Sequence, residues 1–285
     1  MTIAVVGLGA MGSRIAARLL EGGYDVVVWN RTAEKARPLV ERGAVLAGSP
    51  ADAAVRADAL ITMLTDPAAL ESVLSDVPPE STTLIQMSTV GPDALLRVRF
   101  PRVLDAPVLG SLAEVEAGKL TIFVGGEEAL VQKWTPLLSQ LGRAVHVGEV
   151  GAASAAKLVA NATLVGTLSL LGESIALGEG LGLPRDVVFD VLSATPLAQQ
   201  AERRRRPLEI GEYPPRFALS LARKDADLIL EAAARAGVDL RLVAEAGRWL
   251  ADAEAAGLGA DDYAAVLIGI VSSAERRDPA SSPAT

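Results

Sequence analysis

Gly7-Leu8-Gly9-Ala10-Met11-Gly12 is the first stretch of the chain whose residue types and spacing suit a chemical task. It follows the apolar run Thr2 to Val6 and opens a segment with helical spacing through Met11, Ile15, Leu19 and Leu20, after which Val26 to Trp29 is apolar again. In the order strand, GxGxxG, helix, strand, each glycine has a reason. The first permits a tight turn, the second lets a pyrophosphate approach the backbone, and the third lets helix and strand pack closely. The helix start adds free N–H groups and a partial positive charge, so the backbone from Gly7 through Leu8, Gly9, Ala10 and Met11 to Gly12 is expected to cradle a dinucleotide. The plain alternative is a glycine-rich turn.

The end of the second strand selects between dinucleotides. An acid there, about twenty residues past the glycines, bonds the ribose 2′-hydroxyl of NAD. This strand ends Val28-Trp29-Asn30-Arg31-Thr32 with no acid, and Lys35 follows one helical turn later. A carboxylate would repel a 2′-phosphate, whereas an arginine binds it through a bidentate, charge-assisted contact. Asn30, Arg31, Thr32 and Lys35 are therefore expected to favour NADPH over NADH. The alternative for Arg31 is a solvated loop arginine.

Lys157 and Asn161 form the next pair of interest. They lie four apart in an apolar helical stretch and so share one helix face. Taken alone, Lys157 reads better as a lysine snorkelling from an apolar helix than as a catalytic group, and Asn161 has a helix–helix hydrogen bond as its alternative.

These residues need elements to position them. The first 150 residues alternate short apolar strands with helical segments, the pattern of a parallel sheet covered on both faces. Strands are predicted at 2–6, 25–29, Val45, 59–63, 83–86, 103–106, 120–124 and 144–147, with helices at about 32–42 and 127–141. Ser49-Pro50-Ala51-Asp52 reads as a helix start, with a capping serine, proline in the first turn and an acid three residues on. Leu64 and Thr65, just past a strand, are expected to run their backbone along the cofactor, because such sites lie at the carboxyl ends of strands. From Ala152 only helical patterns follow: one long small-residue helix to about Gly182, then helices at about 185–193, 195–206, 217–236, 240–257 and 261–273. The expected fold is α/β: a Rossmann-type domain with a mostly parallel sheet over 1–150, a long interdomain helix, and an all-α substrate and dimerisation domain over 151–275. Residues 276–285, rich in Pro, Ser and charge, are expected to be a disordered tail.

Composition narrows the classes. The chain has 285 residues, enough for two cores, and its net charge of −8 argues against general nucleic-acid binding. With no cysteine and a single histidine, disulfides, thiolate catalysis and a histidine-cluster metal site are excluded, and no metal is expected. His146 reads as structural or superficial. Met1 runs directly into the first strand, so no signal peptide is expected and the protein is expected to be cytoplasmic. The apolar stretch 158–183 carries Asn161, Glu173 and Glu179, a poor membrane span. The long helix over about 152–182 is more apolar than a monomer's surface tolerates, so a homodimer through the helical domain is expected. Arg203-Arg204-Arg205-Arg206 points around a whole helix turn and reads as a solvated stretch, with one arginine facing a cleft as the alternative.

Four further stretches join the glycine turn in register: Asp105-Ala106-Pro107-Val108; Gly118-Lys119-Leu120-Thr121 leading to Gly125-Gly126; Gly151 to Asn161 (GAASAAKLVAN); and Phe217 with Lys224-Asp225. Together they resemble the β-hydroxyacid dehydrogenase family, over roughly residues 2–270. The resemblance implies that Lys157 is catalytic, with Asn161 orienting it or bonding substrate. It implies that Lys224 closes over the cofactor, that Asp225 and Phe217 lie near the substrate, and that Thr89 lies near nicotinamide and substrate. It reads Asp105 as holding a turn rather than transferring protons.

One departure bears on the substrate. After Asp105-Ala106-Pro107-Val108 the family commonly has a serine that bonds a substrate carboxylate, followed by two small residues. Here Leu109-Gly110-Ser111 stands instead, with Leu109 adding apolar bulk. Either Ser111 and backbone N–H groups hold a carboxylate, or the pocket suits a larger or less polar carbonyl or an imine. The resulting expectation is NADP(H)-dependent reduction of an aldehyde or ketone with Lys157 as proton donor. An imine reductase or reductive aminase is the alternative, although those enzymes commonly carry aspartate or tyrosine in place of the lysine. A non-catalytic nucleotide-binding protein is a third reading.

Overall fold

A computed structural model describes residues 1–273, and the expected tail at 276–285 lies outside them. Two compact units are distinguished, Met1–Ala160 and the chain from Asn161 onward.

The first unit runs β1 (Thr2–Val6), α1 (Ala10–Glu21), β2 (Asp25–Trp29), α2 (Arg37–Val40), β3 (Val45–Leu46), α3 (Pro50–Val55), β4 (Ala59–Thr62), α4 (Pro67–Leu74) and β5 (Thr83–Gln86). It continues with α5 (Pro92–Leu96), β6 (Val103–Asp105), β7 (Val108–Leu109), α6 (Leu112–Glu116), β8 (Leu120–Gly125), α7 (Glu128–Leu138) and β9 (Gly142–Gly148). The strands form one sheet in the order β3-β2-β1-β4-β5-β6-β8-β7, with β9 on β8. From β3 to β6 all neighbours are parallel, whereas β8 runs antiparallel to β6 and β7. The chain returns past β1 to place β4 on its other side, and the carboxyl ends of β1 and β4 then flank the crevice where doubly wound sheets bind ligands.

Burial on both faces explains the near-continuous apolar strands. Along β1, Ile3 and Val5 join one core cluster with Ile15, Leu19, Ile61, Ile85 and Trp134. Ala4 and Val6 face the other cluster, with Val27, Leu60, Leu84, Ala53 and Ala54. At the helix start expected near Ser49, its side chain accepts from the Asp52 N–H at 3.0 Å. The helix expected over 32–42 is instead a 3₁₀ turn at Ala33–Ala36 followed by the four residues of α2. Pro38, which has no N–H, stands in the first turn of α2, so a helix running through from residue 32 would lack a bond there.

The long helix α8 (Ala152–Gly180) leaves the first unit and enters the second, so the division between the units falls inside it. The second unit continues with α9 (Arg185–Ser193), α10 (Ala198–Ile210), α11 (Leu219–Arg235), α12 (Arg241–Ala253) and α13 (Val266–Val271). Among its described residues no strand occurs beyond an isolated bridge between Ala218 and Asp262. α12 ends four residues before the expected 257, in a π turn at Glu254–Leu258 where Gly257 adopts φ +91°. By length and composition α8 could cross a membrane, but half of its most apolar window is buried in the protein, as in a core helix. Val159, Leu170 and Leu177 on it are exposed.

Candidate active site

The three glycines of the first turn differ in their surroundings. Gly7 has φ +96°, and a Cβ there would lie 2.2 Å from the Met63 carbonyl oxygen. At Gly12 a Cβ would lie 1.9 Å from the Gly7 carbonyl oxygen, so only glycine lets α1 start this close to β1. At Gly9 a Cβ would meet nothing within 4 Å, leaving the backbone open to an incoming group. Gly9 caps α1 without a side-chain acceptor, and no acid occupies the first turn, where Ala10 is exposed and Met11 half-buried. The amides at the helix start thus keep their capacity for an anion, which fits a pyrophosphate.

Asn30 shapes this cradle. Its Oδ1 accepts the Leu8 N–H at 2.9 Å and its Nδ2 donates to the Thr32 carbonyl at 2.9 Å, tying the end of β2 to the glycine turn. Leu8 therefore spends its N–H on Asn30 rather than offering it to a phosphate. Arg31, Thr32 and Lys35 are exposed just beyond, and neither cation forms an ion pair among the described residues. Two cations with no carboxylate partner fit a 2′-phosphate.

A second brace holds the neighbouring strand ends. Ser88 Oγ accepts the Leu64 N–H at 2.8 Å and donates to the Thr62 carbonyl at 3.3 Å. Gln86 grips Ser88 in turn, accepting its N–H on Oε1 and donating from Nε2 to its carbonyl at 2.9 Å. Sequence reasoning missed both residues; the available signal was a glutamine closing an otherwise apolar strand. Thr65 is exposed and donates to Asp66, whose other oxygen caps α4 at the Ala69 N–H, 2.8 Å away. Thr89 is half-buried directly after Ser88.

Lys157 lies in the first unit, 9 % exposed, on the second turn of α8. That helix is held at its start by Asp105, the last residue of β6, which is completely buried. Asp105 Oδ2 accepts the N–H groups of Gly151 at 3.1 Å and Ser154 at 2.7 Å, and Oδ1 accepts the Ser154 hydroxyl at 2.7 Å. Burial pushes the Asp105 carboxyl above its ordinary range, and the hydrogen bonds from Ser154 and Gly151 only partly pull it back. The turn Asp105 was expected to hold is therefore the first turn of α8.

Leu109, half-buried on β7, pairs with Thr121 of β8. Gly110 has φ +139°, and a Cβ there would press within 2.7 Å of the Leu120 side chain. Ser111 starts α6. Its N–H donates to Glu114 Oε2 at 2.7 Å, and its hydroxyl bonds the same oxygen. Glu114 thus occupies both groups through which Ser111 was expected to hold a substrate carboxylate, and adds a negative charge beside them.

In the second unit Asn161 and Asp225 meet. Asn161 Nδ2 donates to Asp225 Oδ2 at 2.6 Å, and Lys224 Nζ lies 2.7 Å from Asp225 Oδ1. Both Asn161 and Asp225 are buried, and Asn161 Oδ1 has no hydrogen-bond partner among the described residues. Phe217 is half-buried, its N–H donating to Asp262 Oδ2 at 3.1 Å and its ring set edgewise on Tyr263 at 5.6 Å. Of the arginine run, Arg203 and Arg206 are exposed, and Arg205 pairs with Glu209 at 3.0 Å. Arg204 turns inward to Asp262 at 3.4 Å and to the Tyr263 hydroxyl at 2.9 Å, so it braces the loop that carries Phe217.

A doubly wound sheet with this glycine cradle, joined through one long helix to a helical unit, defines an NAD(P)-dependent dehydrogenase of two-domain type. Residues 2–151 match the family described as the NAD binding domain of 6-phosphogluconate dehydrogenase, and residues 151–269 match the NAD-binding domain of NADP-dependent 3-hydroxyisobutyrate dehydrogenase. The chain belongs to the β-hydroxyacid dehydrogenase family. It is 32 % identical over 281 residues to glyoxylate/succinic semialdehyde reductase 1 of Arabidopsis thaliana, covering 94 % of this chain and 97 % of the relative. Among solved structures it is similar to Mycobacterium tuberculosis 3-hydroxyisobutyrate dehydrogenase with L-serine, with a TM-score of 0.82, 27 % identity, and 94 % and 98 % of the two chains covered. A reductive aminase from Aspergillus terreus in complex with NADPH and ethyl levulinate superposes with a TM-score of 0.63 at 25 % identity, covering 94 % and 98 %.

Proposed function

We propose that the protein is an NADPH-dependent reductase of an aldehyde or ketone of the semialdehyde or β-hydroxyacid type, with Lys157 as its proton donor. The observation that carries this reading is Lys157 itself, buried on a helix turn that is bonded to the same sheet as the glycine cradle. NADPH, when bound, supplies the hydride that reduces the carbonyl carbon. Gly9 and the first turn of α1 would hold its pyrophosphate, and Arg31 with Thr32 and Lys35 its 2′-phosphate. Lys157 stabilises the oxygen as negative charge develops and gives it a proton, yielding an alcohol. Asn161, one helical turn further along α8, has its amide nitrogen committed to Asp225, so its oxygen is the atom offered to a donor on substrate or lysine. Thr89, Lys224, Asp225 and Phe217 take the supporting roles that the family resemblance implies.

Leu109 and the Ser111–Glu114 pair favour a second reading, an imine reductase or reductive aminase whose substrate is an imine rather than a small hydroxyacid. The fold shared with the reductive aminase supports that alternative, and Lys157 counts against it. Loss of NADPH absorbance with a panel of semialdehydes, neutral ketones and cyclic imines separates the two. Turnover of semialdehydes or ketones supports the first reading, and turnover of imines alone supports the second. Tight NADPH binding with no turnover of any class supports a non-catalytic nucleotide-binding protein.

We further propose a cytoplasmic homodimer that binds neither nucleic acid nor membrane. The exposed Val159, Leu170 and Leu177 on α8 support the dimer, since burying them against a second copy removes apolar surface from water. A monomeric mass by light scattering would contradict it.

A further inference from the structure

A helix of this length begins with N–H groups that need acceptors, and a residue just ahead of the helix usually supplies one from its own side chain. Here the residue at that place is Gly151, at φ +95°, which has no side chain. The acceptors come from Asp105, 46 positions earlier in the chain and on a different element. Both carboxylate oxygens are used, and every group involved is buried: Asp105 at 0 % exposure and Ser154 at 3 %. Two backbone N–H bonds fix the height and tilt of the first turn. The third bond, from the Ser154 side chain, fixes its rotation about the helix axis.

Rotation matters because Ser154 and Lys157 are three residues apart, neighbours on one helix face. A carboxylate that sets where Ser154 points also sets where the lysine stem leaves the helix. The other end of this connection is the sheet. Asp105 pairs with Gln86 of β5 and with Gly125 of β8, so it is held on both sides. Gln86 is the residue that grips Ser88, which holds the Leu64 N–H. One buried path of bonds therefore runs from the strand ends beside the glycine cradle to the first turn of α8.

We propose that Asp105 is a positioning residue for the reduction, fixing the direction of Lys157 relative to the sheet through its three hydrogen bonds to Gly151 and Ser154. This rests on the assignment of Lys157 as proton donor. Neighbouring motif residues such as Val108 could be exchanged for similar apolar residues; Asp105 could not be exchanged for alanine, which leaves the Gly151 and Ser154 donors without their acceptor.

Acylation of lysines in the full chain by acetic anhydride, read peptide by peptide, reports the lysine's setting without any substrate. In Asp105→Ala the rate at Lys157 is expected to rise about fivefold or more, while the exposed Lys35, Lys119 and Lys133 keep their rates. An unchanged Lys157 rate overturns the proposal. If Asp105→Ala does not fold, Ser154→Ala decides, since it removes the rotational bond and keeps both backbone bonds; the same rise is expected, and no change overturns. Turnover per bound NADPH adds a second readout. Asp105→Ala is expected to lower kcat about 10- to 100-fold with NADPH affinity held within twofold. Added to Lys157→Ala it is expected to cost nothing further, because it acts through that lysine. A full additional loss in the double variant means Asp105 acts elsewhere and overturns the proposal. Normal turnover in Lys157→Ala alone removes the proton-donor assignment and leaves the acylation result standing on its own.

Discussion

Asn30 Oδ1 accepts the N–H of Leu8 at 2.9 Å, so the glycine turn is tied to the end of β2, where Arg31 is proposed to select the cofactor. Leu8 is 3 % exposed, and without Asn30 its N–H has no acceptor. Asn30→Ala is expected to cost about 1–3 kcal/mol of stability, the usual penalty of an orphaned buried donor. NADPH affinity is expected to fall about tenfold with it, since 1.4 kcal/mol corresponds to that factor. Urea unfolding and NADPH fluorescence titration measure the two effects; unchanged affinity would show that the turn holds its shape without the clamp.

Arg31 is the second determinant of the proposed cofactor site. Arg31→Ala is expected to weaken NADPH binding by about 1.5–3 kcal/mol, the range for a charge-assisted contact, and to leave NADH binding almost unaltered. The ratio of the two dissociation constants is the measurement. An unchanged ratio would return Arg31 to the role of a solvated loop residue.

Glu114 controls what Ser111 can do. Glu114→Ala frees the Ser111 hydroxyl and N–H and removes a negative charge. The KM for carboxylate-bearing aldehydes is expected to fall about fivefold or more, the effect of roughly 1 kcal/mol, while neutral ketones keep theirs. Loss of the capping interaction is expected to lower stability by about 0.5–2 kcal/mol. An equal change for charged and neutral substrates would mean that Glu114 does not screen for charge.

The sequence made some of this legible and hid the rest, for a physical reason. Local signals carried well: the glycine turn between β1 and α1, the capped proline start at Ser49, and the small-residue run of α8 all encode their structure within a few residues. The split at Pro38 was also local, and it interrupts a helix whose other residues fit one. What could not be read were bonds between distant positions. Asp105 finds Gly151 and Ser154 across 46 and 49 positions, and Arg204 finds Asp262 across 58. One sequence gives residue types and periodicity but not which buried acceptor faces which donor. Hence Asp105 reads only as a turn residue, and Arg204 is hidden in a run of four like charges.

The raised Asp105 carboxyl gives a pH dependence with a definite sign. Burial lets the folded chain keep this proton above the ordinary value of 3.8 that applies when it is unfolded. Between those two values the folded state binds more protons than the unfolded state, so stability falls as pH rises through that window. Asp105→Asn removes this contribution. Unfolding free energies measured from pH 4 upward, about where unfolded aspartates titrate, are expected to slope less steeply downward in the variant. An identical slope would mean that Asp105 does not titrate in that window.

The central claim is that Lys157 gives the proton. Its most direct test is single-turnover loss of NADPH absorbance in Lys157→Ala, with the carbonyl substrate that wild type reduces fastest and with NADPH binding measured on the same sample. The expected result is a rate lowered about 10²- to 10⁴-fold, the range for removing a positioned acid, with NADPH bound as tightly as in wild type. A rate within a fewfold of wild type would contradict the account and move the proton donor elsewhere.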